Sequence, residues 1–169
     1  MSHHAGKLKP TLKFEPISED NFEVFFQLIL ELAKYEKLKG PDAEAKARLK
    51  EDGLSANPKY NALIGLYNDV PIGYIIYYTT YSSFLALPSL FIEDLFILAK
   101  YRRKGFGQQF FKFCIDLAKS NNYGRIEWIV LDWNKPAITF YEKIGASRQG
   151  WYFYRLNQED FPKIFQIDK

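Results

Sequence analysis

The sequence predicts an α/β (α+β) fold in which a mixed central sheet carries helices on both faces. Two observations support this prediction. Segments with strand patterns and segments with helical spacing follow one another in the order β-α-α-β-β-β-α-β-α-β. Aromatic residues make up 18% of the 169 residues, and aromatic side chains favour the pleated surface of a sheet-rich core. We expect a single domain over residues 11–169, preceded by a mobile tail over residues 1–10.

The first third of the chain predicts one strand and two helices. Thr11–Phe14 has the pattern of a short strand. Ser18 is a residue type that caps helices, and the apolar residues behind it recur at helical spacing until about Tyr35. Gly40–Asp42 then breaks the chain before a second, mostly polar helix over Ala43–Glu51.

The middle of the chain predicts a meander of three strands. Tyr60–Tyr67 and Ile72–Tyr81 flank Asn68-Asp69, a dipeptide that is typical of hairpin turns. A loop leads from there to the third strand, Leu90–Leu98, which is an apolar run interrupted by two carboxylates. Such a run is typical of a buried strand.

The remaining segments predict two helices and two strands. An amphipathic helix over Gly105–Ser120 is followed by a strand over Arg125–Leu131. A short helix begins behind Asn134-Lys135-Pro136 and ends with Gly145 as its cap. The aromatic segment Arg148–Leu156 predicts a last long strand.

Composition excludes several classes of function. The net charge of +3 is too small and too evenly spread to indicate a nucleic-acid-binding protein. The single cysteine, Cys114, excludes an internal disulfide, and its apolar helical neighbours predict a buried packing residue. Because both histidines, His3 and His4, lie at the N-terminus, we expect no histidine-based metal site elsewhere. No segment resembles a signal peptide or a membrane span, so we expect a soluble, cytoplasmic protein.

A cationic, glycine-bearing turn separates the buried third strand from the helix behind it. A helix N-terminus has four unpaired backbone N–H groups and a partial positive charge, which together attract anions. Gly105 and Gly107 allow a ligand to approach the backbone closely. Arg102, Arg103 and Lys104 add mobile positive charge at the rim. We therefore expect the turn to hold a phosphate-rich cofactor, and an ordinary solvated basic loop is the alternative.

The two carboxylates of the third strand, Glu93 and Asp94, are candidates for acid–base chemistry. Neighbouring strand residues point to opposite faces, so at least one of the two should lie beneath a helix. A buried carboxylate without a partner has a raised pKa, which suits a general base near neutral pH. The alternative is an ion pair with a lysine or arginine of the covering helix.

The segment Trp133–Ala146 carries a third motif. Asn134 is a natural N-cap, Ala137 leaves room for a ligand, and Tyr141 lies one helical turn later on the same face. A tyrosine at this position can protonate a leaving group or line a cofactor site. The alternative is that Phe140 and Tyr141 are both aromatic residues of the core.

Together these motifs resemble the GNAT superfamily of N-acetyltransferases, over a region from about Phe14 to Phe161. The superfamily pattern consists of Arg102-x-x-Gly105-x-Gly107 behind the acidic strand, then Asn134, Phe140-Tyr141 and Gly145-Ala146. Within the superfamily, the chain resembles the diamine (spermidine/spermine) and thialysine acetyltransferases. This narrower resemblance rests on Glu31–Glu36, on Glu93-Asp94 with Phe96, on Gly145–Ser147 and on Gly150-Trp151.

The resemblance implies a GNAT-like, mostly antiparallel sheet that is splayed between its fourth and fifth strands. It also implies direct transfer of acetyl from acetyl-CoA to a primary amine, without a metal. Tyr141 would protonate the departing thiolate, and Glu93 would take a proton from the ammonium substrate. The implied cofactor-binding residues are Leu95, Phe96, Ile97, Arg102, Arg103, Lys104, Gly105, Phe106, Gly107, Gln108, Asn134, Ala137 and Tyr141.

The family's substrate site maps onto acidic and aromatic residues of this chain. Polyamine enzymes of the family carry an acidic residue where this chain has Gln149, so a countercharge for a long polycation is missing. This departure favours a shorter diamine or a lysine-like amino acid such as thialysine. The implied substrate-binding residues are Tyr35, Glu36, Glu93, Asp94, Gln149 and Trp151.

The resemblance further implies a homodimer that acts on a small amine and binds neither nucleic acid nor a membrane. Two other functions are compatible with the same fold. One is acetylation of a protein lysine or N-terminus, which would need an open peptide groove rather than an enclosed acidic pocket. The other is a CoA-binding module without turnover, because a fold alone does not determine function.

Overall fold

A computed structural model describes residues 11–164, which divide into two compact units after Ile129. The predicted tail over residues 1–10, with both histidines, lies outside the described residues. The first unit contains β1 (Lys13–Pro16), α1 (Phe22–Glu36), α2 (Ala43–Leu54), β2 (Asn61–Tyr67), β3 (Val70–Ser82), β4 (Leu87–Ile97), α3 (Phe106–Ser120) and β5 (Ile126–Trp128), with a 3₁₀ turn over Ala99–Tyr101. The second unit contains α4 (Lys135–Lys143) and a 3₁₀ helix over Gln158–Lys163.

The five strands form one sheet in the order β1-β2-β3-β4-β5. Neighbouring strands are antiparallel except β4 and β5, which are parallel. The β4–β5 ladder covers only Leu90–Ile92, whereas β4 itself continues to Ile97. The predicted mixed, mostly antiparallel sheet is thus confirmed, and the ladder ends where the predicted splay requires the two strands to separate.

Helices cover both faces of the sheet within the first unit, as predicted. Alternating β2 residues show this arrangement because neighbouring strand residues point to opposite faces. Ile64 and Leu66 belong to the core cluster that contains Phe25 of α1. Gly65, between them, lies against α3 so closely that a Cβ atom would stand 2.4 Å from the Phe110 ring.

The hairpin between β2 and β3 follows the sequence prediction. Asn68 and Asp69 have φ values of 51° and 60°, the left-handed conformations that a type I′ turn requires at both central positions.

The single cysteine of the chain, Cys114, lies on α3 and is fully buried. Burial raises the pKa of its thiol to about 12. Cys114 is therefore an inert packing residue, as predicted.

The start of α1 differs from the prediction that Ser18 caps this helix. The helix begins at Phe22, behind Asn21. The Asn21 side chain accepts a hydrogen bond from the Ser18 N–H (2.8 Å) and donates one to the Pro16 carbonyl (3.0 Å). These two bonds close the turn between β1 and α1, and the helix begins three residues later than Ser18 would place it.

The predicted last strand, Arg148–Leu156, is wrong. This segment forms no ladder with any described strand, and the Trp151 side chain is 84% exposed. Aromatic residues favour a strand only where a neighbouring strand supplies hydrogen-bond partners, and no local pattern supplies that neighbour.

Two further properties concern residues 11–164. None of the helices in this range is long and apolar enough to cross a membrane. The same range has no cluster of three or more His, Cys, Asp or Glu side chains placed to hold a metal ion.

Candidate functional site

The two predicted carboxylates lie at a β-bulge in β4. In the register with β3, Asp94 pairs with Ile76, and Ile92 pairs with Tyr77. Glu93 is therefore an extra residue in β4 that has no partner residue on β3. A regular strand would direct Glu93 and Asp94 to opposite faces, as the sequence analysis expected. The bulge instead directs both carboxylates into the same cavity.

This cavity has a volume of about 400 Å³ and is formed entirely by residues of the first unit. Its walls are mostly apolar and include Ile29 of α1, Leu49 of α2 and Ile76 of β3. The charged side chains that line it are those of Lys59, Glu93 and Asp94. A mostly apolar cavity with a few convergent charges suits a small molecule that combines methylene groups with charged ends.

Asp94 has the perturbed acidity that the sequence analysis sought. Burial raises the pKa of its carboxyl, and with the smaller contributions of the negative charges of Glu93 and Glu36 the pKa reaches about 6. The hydroxyl of Tyr74, itself completely buried, donates a hydrogen bond to Asp94 Oδ2 at 3.2 Å and opposes this rise. Asp94 therefore changes charge close to neutral pH.

Glu93 has an exposed side chain that is held by a tyrosine. The Tyr78 hydroxyl donates a hydrogen bond to Glu93 Oε2 at 3.1 Å. Burial and the Glu93 charge together raise the pKa of Tyr78 to about 12, so this hydroxyl keeps its proton at neutral pH. The Tyr78 ring stacks on Phe91 at a centroid distance of 5.2 Å, which restricts the position of the hydroxyl.

The alternative reading of these carboxylates as partners of a helix lysine or arginine is not supported. Within residues 11–164, the ion pairs that satisfy a 4.0 Å limit involve neither Glu93 nor Asp94. Each carboxylate accepts a hydrogen bond from a tyrosine of β3 instead. Both therefore keep acceptor capacity for a cationic ligand.

Glu36 and Tyr35, the predicted substrate residues of α1, lie at the end of that helix. Burial raises the pKa of the Glu36 carboxyl, and its charge in turn raises the pKa of Asp94. The Tyr35 ring lies 6.4 Å from the Phe96 ring, between centroids. The end of α1 thus adds negative charge near Asp94 and an aromatic surface near the end of β4.

Arg102 is held against this aromatic surface. Its guanidinium carbon lies 4.2 Å from the centroid of Tyr35 and 5.4 Å from that of Phe96. Its Nε–H donates a hydrogen bond to the Ile97 carbonyl at 2.7 Å. We name this arrangement of Arg102, Tyr35, Phe96 and Ile97 the arginine clamp. The sequence analysis expected a mobile charge at the rim of the turn, and the clamp departs from that expectation.

The turn that follows has the features of an anion site. Gly105 has a φ of +85° at the N-cap of α3, and a Cβ atom there would meet no atom within 4 Å. The Arg103 and Lys104 side chains are exposed, as are Gly105 and Gln108, while Gly107 is half-buried. The first N–H groups of α3 therefore face a space into which an anion can enter.

Phe106 contributes to this turn through its backbone. Its side chain is buried and packs against Tyr67 at 5.0 Å and Tyr101 at 6.3 Å, between ring centroids. These contacts fix the first residue of α3, so the position of the helix N-terminus is determined by the core.

The end of β4 has one backbone edge that β5 does not cover. The Leu98 N–H donates to the Ile72 carbonyl, so the Ile97 carbonyl, one residue earlier, points away from β3. The backbone groups of Leu95, two residues before Ile97, point to the same side. The β4–β5 ladder ends at Ile92, and the Ile97 carbonyl already accepts the hydrogen bond from Arg102. The Leu95 backbone groups and the Ile97 N–H are therefore the part of this edge that a ligand can pair with.

The second unit contains the remaining predicted residues. The Asn134 side chain accepts a hydrogen bond from the Ala137 N–H at 3.4 Å, which confirms the predicted N-cap. Tyr141 is half-buried and packs edge-on against Phe140, with ring centroids 5.6 Å apart. Gln149, an exposed residue, donates a hydrogen bond from Nε2 to the Ser147 carbonyl.

The C-terminus of α4 forms the predicted glycine cap. Gly145 has a φ of +88°, and its N–H donates to the Glu142 carbonyl at 3.0 Å. The Ala146 N–H donates to the Tyr141 carbonyl, also at 3.0 Å. This pair of bonds is a Schellman motif, in which glycine adopts the left-handed conformation without a Cβ penalty.

The sequence analysis missed Tyr74, Tyr78 and Lys59 as site residues. Tyr74 and Tyr78 are four residues apart in β3 and therefore lie on one face of the strand. That spacing was visible in the sequence, but the register that brings their hydroxyls to Asp94 and Glu93 was not. No local signal distinguished Lys59 from the other lysines.

Comparisons with known proteins identify the family of this chain. The model of the acetyltransferase (GNAT) family matches residues 23–146. A thialysine N-epsilon-acetyltransferase from Caenorhabditis elegans is 30% identical over 145 residues, which cover 83% of this chain and 89% of that protein. The L-ornithine N5-acetyltransferase NATA1 from Arabidopsis thaliana is 40% identical over 103 residues, which cover 60% of this chain and 45% of that protein.

Solved structures show the same fold. An integron cassette protein from the mobile metagenome of V. cholerae superimposes with a TM-score of 0.76 at 20% identity. The match covers 92% of this chain and 98% of that one. The family model covers well over half of the chain and includes β4, the glycine turn and α4. The chain therefore belongs to the GNAT acetyltransferase family.

Proposed function

We propose that this protein transfers acetyl from acetyl-CoA to a primary amine of a small diamine, polyamine or lysine-like substrate. The observation that carries the proposal is the small cavity in which Glu93 and Asp94 both keep acceptor capacity. It lies beside β4, the strand that leads into the glycine turn before α3. Two relatives act, by their names, on amines of amino acids, thialysine and ornithine. A small cationic acceptor fits both observations.

The residues present fit a CoA thioester, which supplies the activated acetyl group when bound. The uncovered backbone edge from Leu95 to Ile97 would hold the pantetheine arm. The N–H groups from Gly105 to Gln108 would hold the pyrophosphate, with Arg103 and Lys104 adding charge. Asn134 and Ala137 would border the site.

The chemistry requires a base and an acid from this chain. A primary amine has a pKa near 10 and is protonated at pH 7, so it must lose a proton before its nitrogen can bond to the acetyl carbon. Glu93 would accept that proton. As the carbon–nitrogen bond forms and the carbon–sulfur bond breaks, Tyr141 would donate a proton to the departing sulfur. Asp94 would provide countercharge for a cationic substrate.

The first experiment is free-thiol release from acetyl-CoA with putrescine, spermidine, spermine, thialysine, ornithine, lysine and a lysine peptide. We expect turnover with at least one of the small amines and none with the peptide. Turnover confined to the peptide would favour a protein acetyltransferase. Tight acetyl-CoA binding without any turnover would favour a CoA-binding module and contradict the proposal.

A pair of variants tests the proposed acid and base. Glu93→Gln and Tyr141→Phe should each lower kcat by about 10²-fold or more, because each removes a proton-transfer group. Acetyl-CoA affinity, measured by calorimetry, should change little in Glu93→Gln. The matched controls are Glu142→Gln and Tyr152→Phe, whose side chains are exposed. Full activity in the Glu93→Gln, Tyr141→Phe double variant would refute this mechanism.

Three further properties belong to the same proposal. We propose one acetyltransferase domain over residues 11–169, supported by a family match that runs through both units. A homodimer follows from the family resemblance and is tested by sedimentation velocity. A cytoplasmic location is likewise proposed, and fractionation of cells that produce the protein tests it.

A further inference from the structure

We propose that Lys59 binds the carboxylate of an amino-acid substrate whose terminal amine is acetylated. This inference rests on the proposed function and narrows it from small amines to ω-amino acids. It begins from the charges of the cavity, which is lined by Glu93 and Asp94 and also by one cation, Lys59. A site for a polyamine alone gains nothing from a lysine in its wall, because like charges repel.

The backbone of Lys59 is held by a hydrogen bond, whereas its ammonium group is in an exposed ion pair. Its N–H donates to the Asp52 carbonyl at 3.0 Å, and the neighbouring Tyr60 donates from its hydroxyl to the Leu49 carbonyl at 2.7 Å. These bonds fix the base of the side chain to the C-terminal turns of α2. The ammonium group pairs with Asp52 Oδ1 at 2.7 Å, yet the Lys59 side chain is 74% exposed.

The ion pair with Asp52 leaves Lys59 available to a ligand. Exposed pairs of this kind contribute little to stability, because solvent screens the two charges. An ammonium group has three donors, so Lys59 can bind a second carboxylate while it keeps the first.

The apolar wall fits the middle of such a substrate. Ile29, Leu49 and Ile76 line the cavity together with these charged groups. A molecule with an amine at one end, methylene groups between and a carboxylate at the other end matches all three kinds of surface. A diamine of the same length matches only the carboxylates and the apolar wall.

The test uses substrate pairs that differ only in the carboxylate: ornithine with putrescine, and lysine with cadaverine. Lys59→Met keeps the length of the side chain and removes the charge, while Lys59→Arg keeps the charge. We expect Lys59→Met to lower kcat/KM for ornithine about 10-fold or more, mainly by raising KM. The same variant should not lower kcat/KM for putrescine, which has no carboxylate. Lys59→Arg should retain most of the ornithine activity.

Lys50→Met is the matched control. Lys50, a residue of α2, also forms an ion pair, with Glu19, but it does not line this cavity. Equal losses for ornithine and putrescine in Lys59→Met would show a structural role and overturn the inference. An unchanged ornithine KM would also overturn it.

Calorimetric titration with ornithine separates this inference from the proposed function. Ornithine binding that is lost in Lys59→Met and kept in Lys59→Arg supports a carboxylate site even if the wild-type protein shows no turnover. Turnover of amines with ornithine binding that does not depend on Lys59 supports the function and refutes the inference.

Discussion

Glu93 and Asp94 are adjacent in the chain, but their surroundings differ. Asp94 is half-buried and its pKa is raised to about 6, whereas Glu93 is exposed and accepts a hydrogen bond from Tyr78. The proposed base is therefore the more accessible carboxylate, and the buried one is suited to holding a cation. A cationic substrate beside Asp94 would favour its ionised form and lower its pKa.

The raised pKa of Asp94 predicts a pH-dependent stability. The folded state holds this proton up to about pH 6, whereas an unfolded aspartate loses it near pH 4. Between these values the unfolded state binds fewer protons, so the stability contributed by this group falls as the pH rises. The shift of roughly two pKa units corresponds to about 3 kcal/mol at pH 7.

Asp94→Asn should remove this dependence, because the amide is neutral at every pH. Urea unfolding at pH 4, 5, 6 and 7 should show the variant gaining stability relative to the wild type as the pH rises. Asp116→Asn, at an exposed residue of α3, is the control and should show no such gain. The prediction would be contradicted if the free energies of unfolding of Asp94→Asn and the wild type differed by the same amount at every pH in this range.

Among the structural elements, the end of β4, the end of α1 and the turn before α3 are joined by the arginine clamp. Arg102 combines a hydrogen bond to the Ile97 carbonyl with stacking on Tyr35 and Phe96. A guanidinium group can do both at once because it is planar and has several donors. A lysine has the same charge but cannot reproduce both contacts.

Arg102→Lys should therefore lower the free energy of unfolding by about 1 kcal/mol in the absence of cofactor. Arg103→Lys is the matched control, because Arg103 is next to Arg102 in the sequence and its side chain is exposed. This variant should leave the free energy of unfolding unchanged. The comparison is made by urea unfolding of both variants. Equal stability of the two variants would mean that the clamp contributes nothing measurable.

At the scale of the whole molecule, two glycines allow close packing: Gly65 lets α3 approach β2, and Gly73 lets β4 approach β3. A Cβ atom at Gly65 would stand 2.4 Å from the Phe110 ring of α3. A Cβ atom at Gly73 would stand 2.2 Å from the Phe96 carbonyl oxygen of β4. The first clash is with a side chain and the second is with backbone, which cannot move without shifting β4.

Gly65→Ala should cost about 1–3 kcal/mol of stability by overpacking, and Gly73→Ala should cost more. Because β4 carries the proposed site, Gly73→Ala should also weaken acetyl-CoA binding. Gly150→Ala is the control, since a Cβ atom there would lie in open space. Denaturant unfolding measures all three variants, and a smaller loss in Gly73→Ala than in Gly65→Ala would contradict this account.

Local patterns in the sequence were sufficient for most of the secondary structure. Helical spacing, the Asn68-Asp69 turn, the Asn134 cap and the Gly145 cap depend on residues within a few positions of each other. The glycine turn at Gly105 was also recognisable, because its left-handed conformation and its place before a helix are local features. The segment Arg148–Leu156 shows the limit of this approach, since its strand pattern has no paired neighbour.

The sequence by itself thus determined the family resemblance, the order of the elements up to α4 and the candidate chemistry of Glu93 and Asp94. Only the tertiary structure decided that a bulge turns both carboxylates to one cavity, that Tyr74 and Tyr78 hold them, and that Lys59 shares their cavity. The physical reason is the distance along the chain. Helix spacing and turns depend on neighbouring residues, whereas register, burial and charge proximity depend on segments that meet only after folding.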